Sequence, residues 1–187
     1  AVDAAVATAI ALTVVEPTSN GIGSDNFALI WSEGKLHGLN ASGRAPQALD
    51  PAKFLGMEKM PLIGWDPVTV PGAVSGWAAT SERFGKLPFA DLFEPAIRYA
   101  EEGYLVSPQT AGSWAGAPRR WAGMEAFADT FLPNGRGPAP GSLMKLPDHA
   151  RTLRRIAETK GEAFYRGELA EAIEADARKH GAPMRMS

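Results

Sequence analysis

The chain has 187 residues, 45% of them apolar and 21% charged, which is enough for a sizeable buried core and ordinary for a soluble globular protein. A net charge of −2 supplies no basic surface for a phosphate backbone, so no nucleic-acid partner is expected. The absence of cysteine excludes disulfides, thiol catalysis and thiolate-bound metals.

Ala4 to Val15 is an apolar, alanine-rich run, too short to cross a bilayer, so no membrane span is expected in this segment. No basic region precedes it and Asp3 stands at its start, unlike a secretory signal. A chain opening on Ala1 reads as a piece of a longer or processed protein. The compartment is left open between periplasmic or secreted and cytoplasmic.

Residues 2–15 are expected to form a helix that is apolar on every side and therefore buried, with Asp3 at its positive end and Pro17 beyond it. Gly21-Ile22-Gly23 is a turn. Phe27–Trp31 and Lys35–Asn40, joined by Glu33-Gly34, read as a β-hairpin. Residues 47–56 hold a short helix. A helix begins at Val70-Pro71-Gly72 and runs to about Phe84. Phe89, Leu92, Phe93, Ala96, Ile97 and Ala100 make an amphipathic stripe closed by Gly103, with a break expected at Pro95. Ser107 caps a helix opened by Pro108, and residues 131–141 form a Gly/Pro-rich loop. Asp148 is expected to cap a helix to Thr159 with Leu153, Ile156 and Ala157 inward, and residues 167–180 form another with Leu169, Ile173 and Ala177 inward. A single two-stranded ribbon under many helices is short of strands for a complete α/β domain, so further strands are expected from elsewhere.

No metal or other cofactor is expected: His37, His149 and His180 lack zinc-ligand spacing and read as solvated or capping groups. Ser142-Leu143-Met144-Lys145 and Ser24-Asp25-Asn26 match two serine β-lactamase motifs, but in reversed order and without the third. Glu101-Glu102, Arg119-Arg120 and Arg154-Arg155 read as surface or ion-pair residues, and the five tryptophans as core or interface. No serine or threonine stands beside a plausible base. One segment stands out, Asn40-Ala41-Ser42-Gly43-Arg44-Ala45-Pro46. An arginine in a tight loop at a strand end can present its fork of donors to a carboxylate. It can equally clamp its own loop or pair with a structural aspartate.

A series of motifs in order resembles the large subunit of the gamma-glutamyltranspeptidase family. They are Ala1–Ala7, Val15-Glu16-Pro17, Gly21-Ile22-Gly23 leading to Phe27, Val70-Pro71-Gly72 with Gly76, and Phe84–Phe89. Glu94–Ile97, Ala100–Tyr104, Arg151-Thr152-Leu153 and Phe164–Gly167 follow. The resemblance implies an α+β fold, the four-layer αββα sandwich of N-terminal nucleophile hydrolases. Residues 1–187 would form one partial domain, supplying mostly helices and a β-hairpin, whose sheet a small catalytic subunit completes.

It further implies a self-cleaving zymogen whose small subunit starts with a threonine that attacks gamma-glutamyl amides of the glutathione type, with transfer to water, an amino acid or a peptide. No catalytic residue is then expected in this chain, which stops before the family's cut site. The implied partners are that small subunit and a small acyl-amide substrate, and a dimer of heterodimers is compatible with the family. Two departures stand out. Ser24-Asp25-Asn26 replaces a glycine run. Ser42-Gly43-Arg44-Ala45-Pro46 replaces Arg-Glu-x-Ala-Pro, placing Ser42 where the carboxylate-gripping arginine belongs and Arg44 two residues on. Ser42 and Arg44 are therefore the candidate substrate-binding residues. Acylases of the same family acting on glutaryl, cephalosporin or oxamate-type amides are the alternative, and a catalytically inactive scaffold is a further one.

Overall fold

A computed structural model describes residues 1–186. In chain order, helix α1 spans Val2–Val15, and strands β1 (Asn26–Ser32) and β2 (Lys35–Ala41) form an antiparallel hairpin. A 3-10 turn at Pro51–Phe54 and helix α2 (Ala73–Phe84) follow. A 3-10 segment at Phe89–Phe93 leads into α3 (Glu94–Glu102), then β3 (Tyr104–Leu105), α4 (Pro108–Trp114), α5 (Ala117–Arg120) and α6 (Glu125–Phe131). Strand β4 (Leu143–Met144) pairs antiparallel with β3, and α7 (Pro147–Thr159), α8 (Glu162–Arg166) and α9 (Glu168–Lys179) complete the chain. This is the expected α+β inventory, mostly helices with one substantial hairpin.

The residues gather into two compact units, Ala1–Gly21 with Lys86–Arg154, and Ile22–Gly85 with Arg155–Ser187. In the first, α1 packs on α3 and on the 3-10 segment before it. Val6, Ile10 and Val14 of α1 are buried, as are Leu92, Phe93, Ala96 and Ala100. Burying each large side chain contributes roughly 1.5–3 kcal/mol over leaving it in water. Asp3 does more than favour the helix start, since its carboxylate accepts the Lys86 N–H at 3.0 Å. Contrary to the expectation of an all-round buried helix, Ala4, Ala5 and Thr8 are exposed. An alanine-rich face carries no signal of which side meets a neighbour.

The amphipathic stripe is two elements, as Pro95 foretold. The 3-10 segment ends at Phe93 and Pro95 sits in the first turn of α3, where its missing N–H costs no hydrogen bond. Ser107 caps α4 as expected, its Oγ accepting the Thr110 N–H at 3.1 Å. Asp148 lies inside the first turn of α7, not at its cap, and pairs with Arg151. The β3–β4 pair, α5, α6 and α8 are not among the expected elements, because elements of two to seven residues carry too few turns for a periodic signal. Tyr104 is buried, its hydroxyl has no hydrogen-bond partner among the described residues, and burial pushes its pKa up to about 12.

In the second unit the hairpin turn is Glu33-Gly34 with φ of 52° and 74°, the two left-handed residues that a tight hairpin requires. Helix α2 lies against the hairpin and buries Ala73, Val74, Gly76, Trp77, Thr80 and Ser81, the spacing of one helical face. Gly76 marks the crossing: a Cβ there would stand 2.8 Å from Asn26 Oδ1 and 2.9 Å from Ala41 Cβ. The opposite face of the hairpin is open. Phe27, Leu29, Trp31 and Leu36 are 66%, 78%, 71% and 63% exposed, and an apolar cleft runs over Phe27, Leu29, Gly38 and Asn40. Behind α9, Ala177, Ala182 and Met184 form a small core against Val68, Val70 and Trp65. The Met186 N–H and then Arg178 hold the Glu174 carboxyl below the usual carboxylate range, fastening the last described residues to α9.

Candidate functional site

The loop that leaves β2 is built from backbone contacts. Ala41 ends the strand, and Asn40 Oδ1 accepts the Ser42 N–H at 2.9 Å, a side-chain-closed turn. Asp25, just before β1, accepts the Gly43 N–H at 2.9 Å through Oδ1 and the Ser42 hydroxyl at 3.3 Å through Oδ2. The Arg44 carbonyl accepts the Val70 N–H at 2.9 Å. Gly43 and Gly72 allow the two segments to touch. A Cβ on Gly43 would fall 1.7 Å from the Val70 carbonyl oxygen, and one on Gly72 would fall 1.9 Å from that of Ala41.

Facing this loop, residues 70–75 are held from two sides. The Ser24 carbonyl accepts the N–H groups of Gly72 (3.2 Å) and Ala73 (2.8 Å), which are free donors at the start of α2. Tyr165 Oη donates to the Pro71 carbonyl at 2.9 Å and accepts the Ser75 N–H at 3.0 Å. Helix α2 consequently starts at Ala73, not at Val70: the Pro71 carbonyl and the Gly72 N–H are committed to Tyr165 and Ser24.

Of the two candidate residues, Ser42 is exposed with its hydroxyl turned to Asp25, and Arg44 is exposed. The Arg44 side chain has no hydrogen-bond, ion-pair or aromatic partner among the described residues. It does not clamp its own loop; Asp25 does that through the backbone. Asp25 was passed over in the sequence because Ser-Asp-Asn reads as a stray motif until β1 and β2 are paired.

The other candidates fall elsewhere. Ser142 donates its hydroxyl to the Ala139 carbonyl at 2.6 Å, in the turn before β4. Thr8 and Thr13 donate to the carbonyls of Ala4 and Ile10 within α1. Glu101 pairs with Arg154 at 2.8 Å, and Arg155 bridges Glu158 and Glu168. His37 Nδ1 accepts from Arg83 Nη2 at 3.1 Å, and His180 Nδ1 lies 3.4 Å from Asp176. His149 meets the ring of Phe131 edge-on, and burial holds its pKa below the usual imidazole value, against the opposing pull of Asp148. Among the described residues no group of three or more His, Asp or Glu side chains could hold a metal, and no helix is long and apolar enough to cross a membrane.

The arrangement is that of N-terminal nucleophile hydrolases. A cephalosporin acylase from Bacillus halodurans superposes with a TM-score of 0.94 and 52% identity, over 100% of this chain and 36% of that one. The sequence profile of the gamma-glutamyltranspeptidase family matches residues 1–187, and the chain belongs to that family. Similarity extends to a glutathione hydrolase-like proenzyme of Bacillus subtilis, 35% identical over 98% of this chain and 36% of that protein. An oxamate amidohydrolase proenzyme of Klebsiella pneumoniae is 37% identical over 92% of this chain and 34% of its own length. The chain thus spans about a third of the curated relatives it matches.

Proposed function

We propose that this chain is the large-subunit portion of a gamma-glutamyltranspeptidase-like amidohydrolase, in which the loop carrying Ser42 and Arg44 reads a carboxylate on the acyl group of a small amide substrate. The observation that carries the reading is an exposed arginine, without a side-chain partner among the described residues, on a loop pinned by Asp25 and Val70, in a chain whose whole length matches this family. A guanidinium on a pinned backbone offers two parallel donors to a carboxylate, with its side-chain rotamers left to be ordered on binding. Ser42, beside it, is the second candidate substrate-binding residue, its hydroxyl held by Asp25.

The nucleophile is supplied by a small subunit cut from the same precursor. The hydroxyl of its N-terminal threonine attacks the amide carbonyl while its α-amine takes the proton and returns it to the departing amine as the C–N bond breaks; the acyl group then passes from the threonine to water or to an amino acid or peptide. The open apolar face of the hairpin supports a partner that packs over the sheet: Phe27, Leu29 and Trp31 alternate outward on a strand whose other face already packs on α2. An apolar face of this kind marks an interaction site.

Gamma-glutamyl amides are the first substrate class. A second reading, glutaryl, cephalosporin-type or oxamyl amides, is favoured by Arg44 standing two residues beyond the position of the family's carboxylate-gripping arginine, and by the 52% identity to an acylase. The test uses full-length protein whose self-cleavage has been confirmed by mass spectrometry, assayed on gamma-glutamyl, glutaryl and oxamyl amides. Turnover of at least one, reduced 100-fold or more in kcat/KM by Arg44→Ala, is expected. Correctly cleaved protein with no acyl-enzyme on any of the three would overturn the proposal, and a single uncut chain would favour a non-catalytic scaffold.

A further inference from the structure

We infer that Asp25 is the specificity-determining positioning residue of the carboxylate-reading loop, an inference that rests on the function proposed for Arg44. Asp25 has no hydrogen bond or ion pair to the Arg44 side chain among the described residues. It acts on the two residues before Arg44: one carboxylate oxygen takes the Gly43 N–H, the other the Ser42 hydroxyl. On the far side the Arg44 carbonyl is fixed by Val70. The backbone of residues 42–44 is therefore held at both ends, while the Arg44 side chain has no partner among the described residues.

The geometry links the two departures in the sequence. Where a glycine run would leave the start of β1 bare, Asp25 supplies a carboxylate to the loop and Asn26 a side chain packed at Gly76. The same carboxylate engages Ser42, the residue standing where the gripping arginine belongs, and leaves the cation at position 44 as the one presented. Reach is then set by the loop register: a shift of two residues moves a side chain by up to roughly 7 Å. Asp25 thus selects which acyl carboxylate, at what distance from the scissile amide, the loop can hold.

Asparagine at position 25 keeps both contacts, its oxygen still accepting from Gly43 and its amide donating to the Ser42 oxygen with the polarity of that one bond reversed; alanine keeps neither. In the full, self-cleaved protein, Asp25→Ala is expected to raise KM for the preferred carboxylated acyl anilide at least tenfold with kcat changed less than threefold. Asp25→Asn should restore KM to within threefold. KM for an acyl anilide lacking the carboxylate should stay unchanged in both. Equal effects on the two substrates, or a loss in Asp25→Ala that Asp25→Asn does not rescue, would overturn the inference. Should the protein turn over no acyl amide, calorimetric titration with glutarate and with L-glutamate decides instead. Binding weakened at least tenfold by Asp25→Ala and restored by Asp25→Asn sustains the inference even as the proposed chemistry fails; wild-type protein that binds neither overturns it.

Discussion

Tyr165 Oη bridges the Pro71 carbonyl and the Ser75 N–H, so one hydroxyl closes the turn that opens α2 from outside the helix. Capping groups normally come from the residue just before a helix; this one comes from α8, 90 residues from Ser75 in sequence. Deleting it leaves a carbonyl and an N–H unpaired in a turn packed against Gly43. Tyr165→Phe is expected to cost about 1–2 kcal/mol of stability in urea unfolding. A change below a few tenths would mean that water replaces the hydroxyl without loss.

Two glycines are predicted to fail for different reasons. At Gly43 the obstacle is space, since a Cβ would overlap the Val70 carbonyl at 1.7 Å. At Gly34 the surroundings are open but φ is +74°. Gly34→Ala should therefore cost roughly 1–2 kcal/mol. Gly43→Ala should cost at least about 3 kcal/mol or yield no folded protein, as overpacking against backbone does. Comparable melting curves for the two variants would show that the 41–44 and 69–72 segments can part cheaply.

Leu29, 78% exposed in the middle of the open hairpin face, tests whether that face is covered in the full protein. Where it is covered, Leu29→Lys removes roughly 1.5–3 kcal/mol of burial and adds a desolvated charge. A fall in Tm of several degrees, with impaired self-cleavage, is expected. An unaltered Tm would leave the face solvent-exposed.

His149 carries a pH dependence. Its folded-state pKa is lowered by burial, so the unfolded chain binds its proton more readily. Its neutral form carries no penalty above the ordinary value of about 6.5, and stability falls as pH drops from there through the lowered folded pKa. NMR titration should place the His149 midpoint below those of exposed histidines, and His149→Phe should flatten the loss of stability on that acid side. A midpoint at or above 6.5 would contradict the packing on Phe131.

Tyr104 offers the converse of Tyr165: a buried hydroxyl with no partner among the described residues. Tyr104→Phe should leave stability unchanged or raise it by up to about 1 kcal/mol. A loss of 1 kcal/mol or more would reveal a partner, a water or a group of another subunit, at that hydroxyl.

Most of the architecture was legible in the residues because it rests on local rules. The hairpin register follows from a two-residue turn between apolar runs, the start of α4 from Ser107-Pro108, and the break before α3 from Pro95. What misled was locally neutral. Pro71-Gly72 looks like a helix opening until Tyr165 and Ser24 take its polar groups, and α1 is too uniformly apolar to say which face is buried.

The sequence by itself determined the family and the α+β class, and singled out the loop proposed to read a carboxylate, since each depends on residue order and short-range periodicity. Only the tertiary structure decided that Asp25 rather than Arg44 secures that loop. Hydrogen bonds between residues 18 positions apart exist only once β1 and β2 have paired and Gly43 has been pressed against Val70. The guanidinium of Arg44, which can only donate, has no part in this: the loop N–H is held by the Asp25 carboxylate, brought in from the segment just before β1.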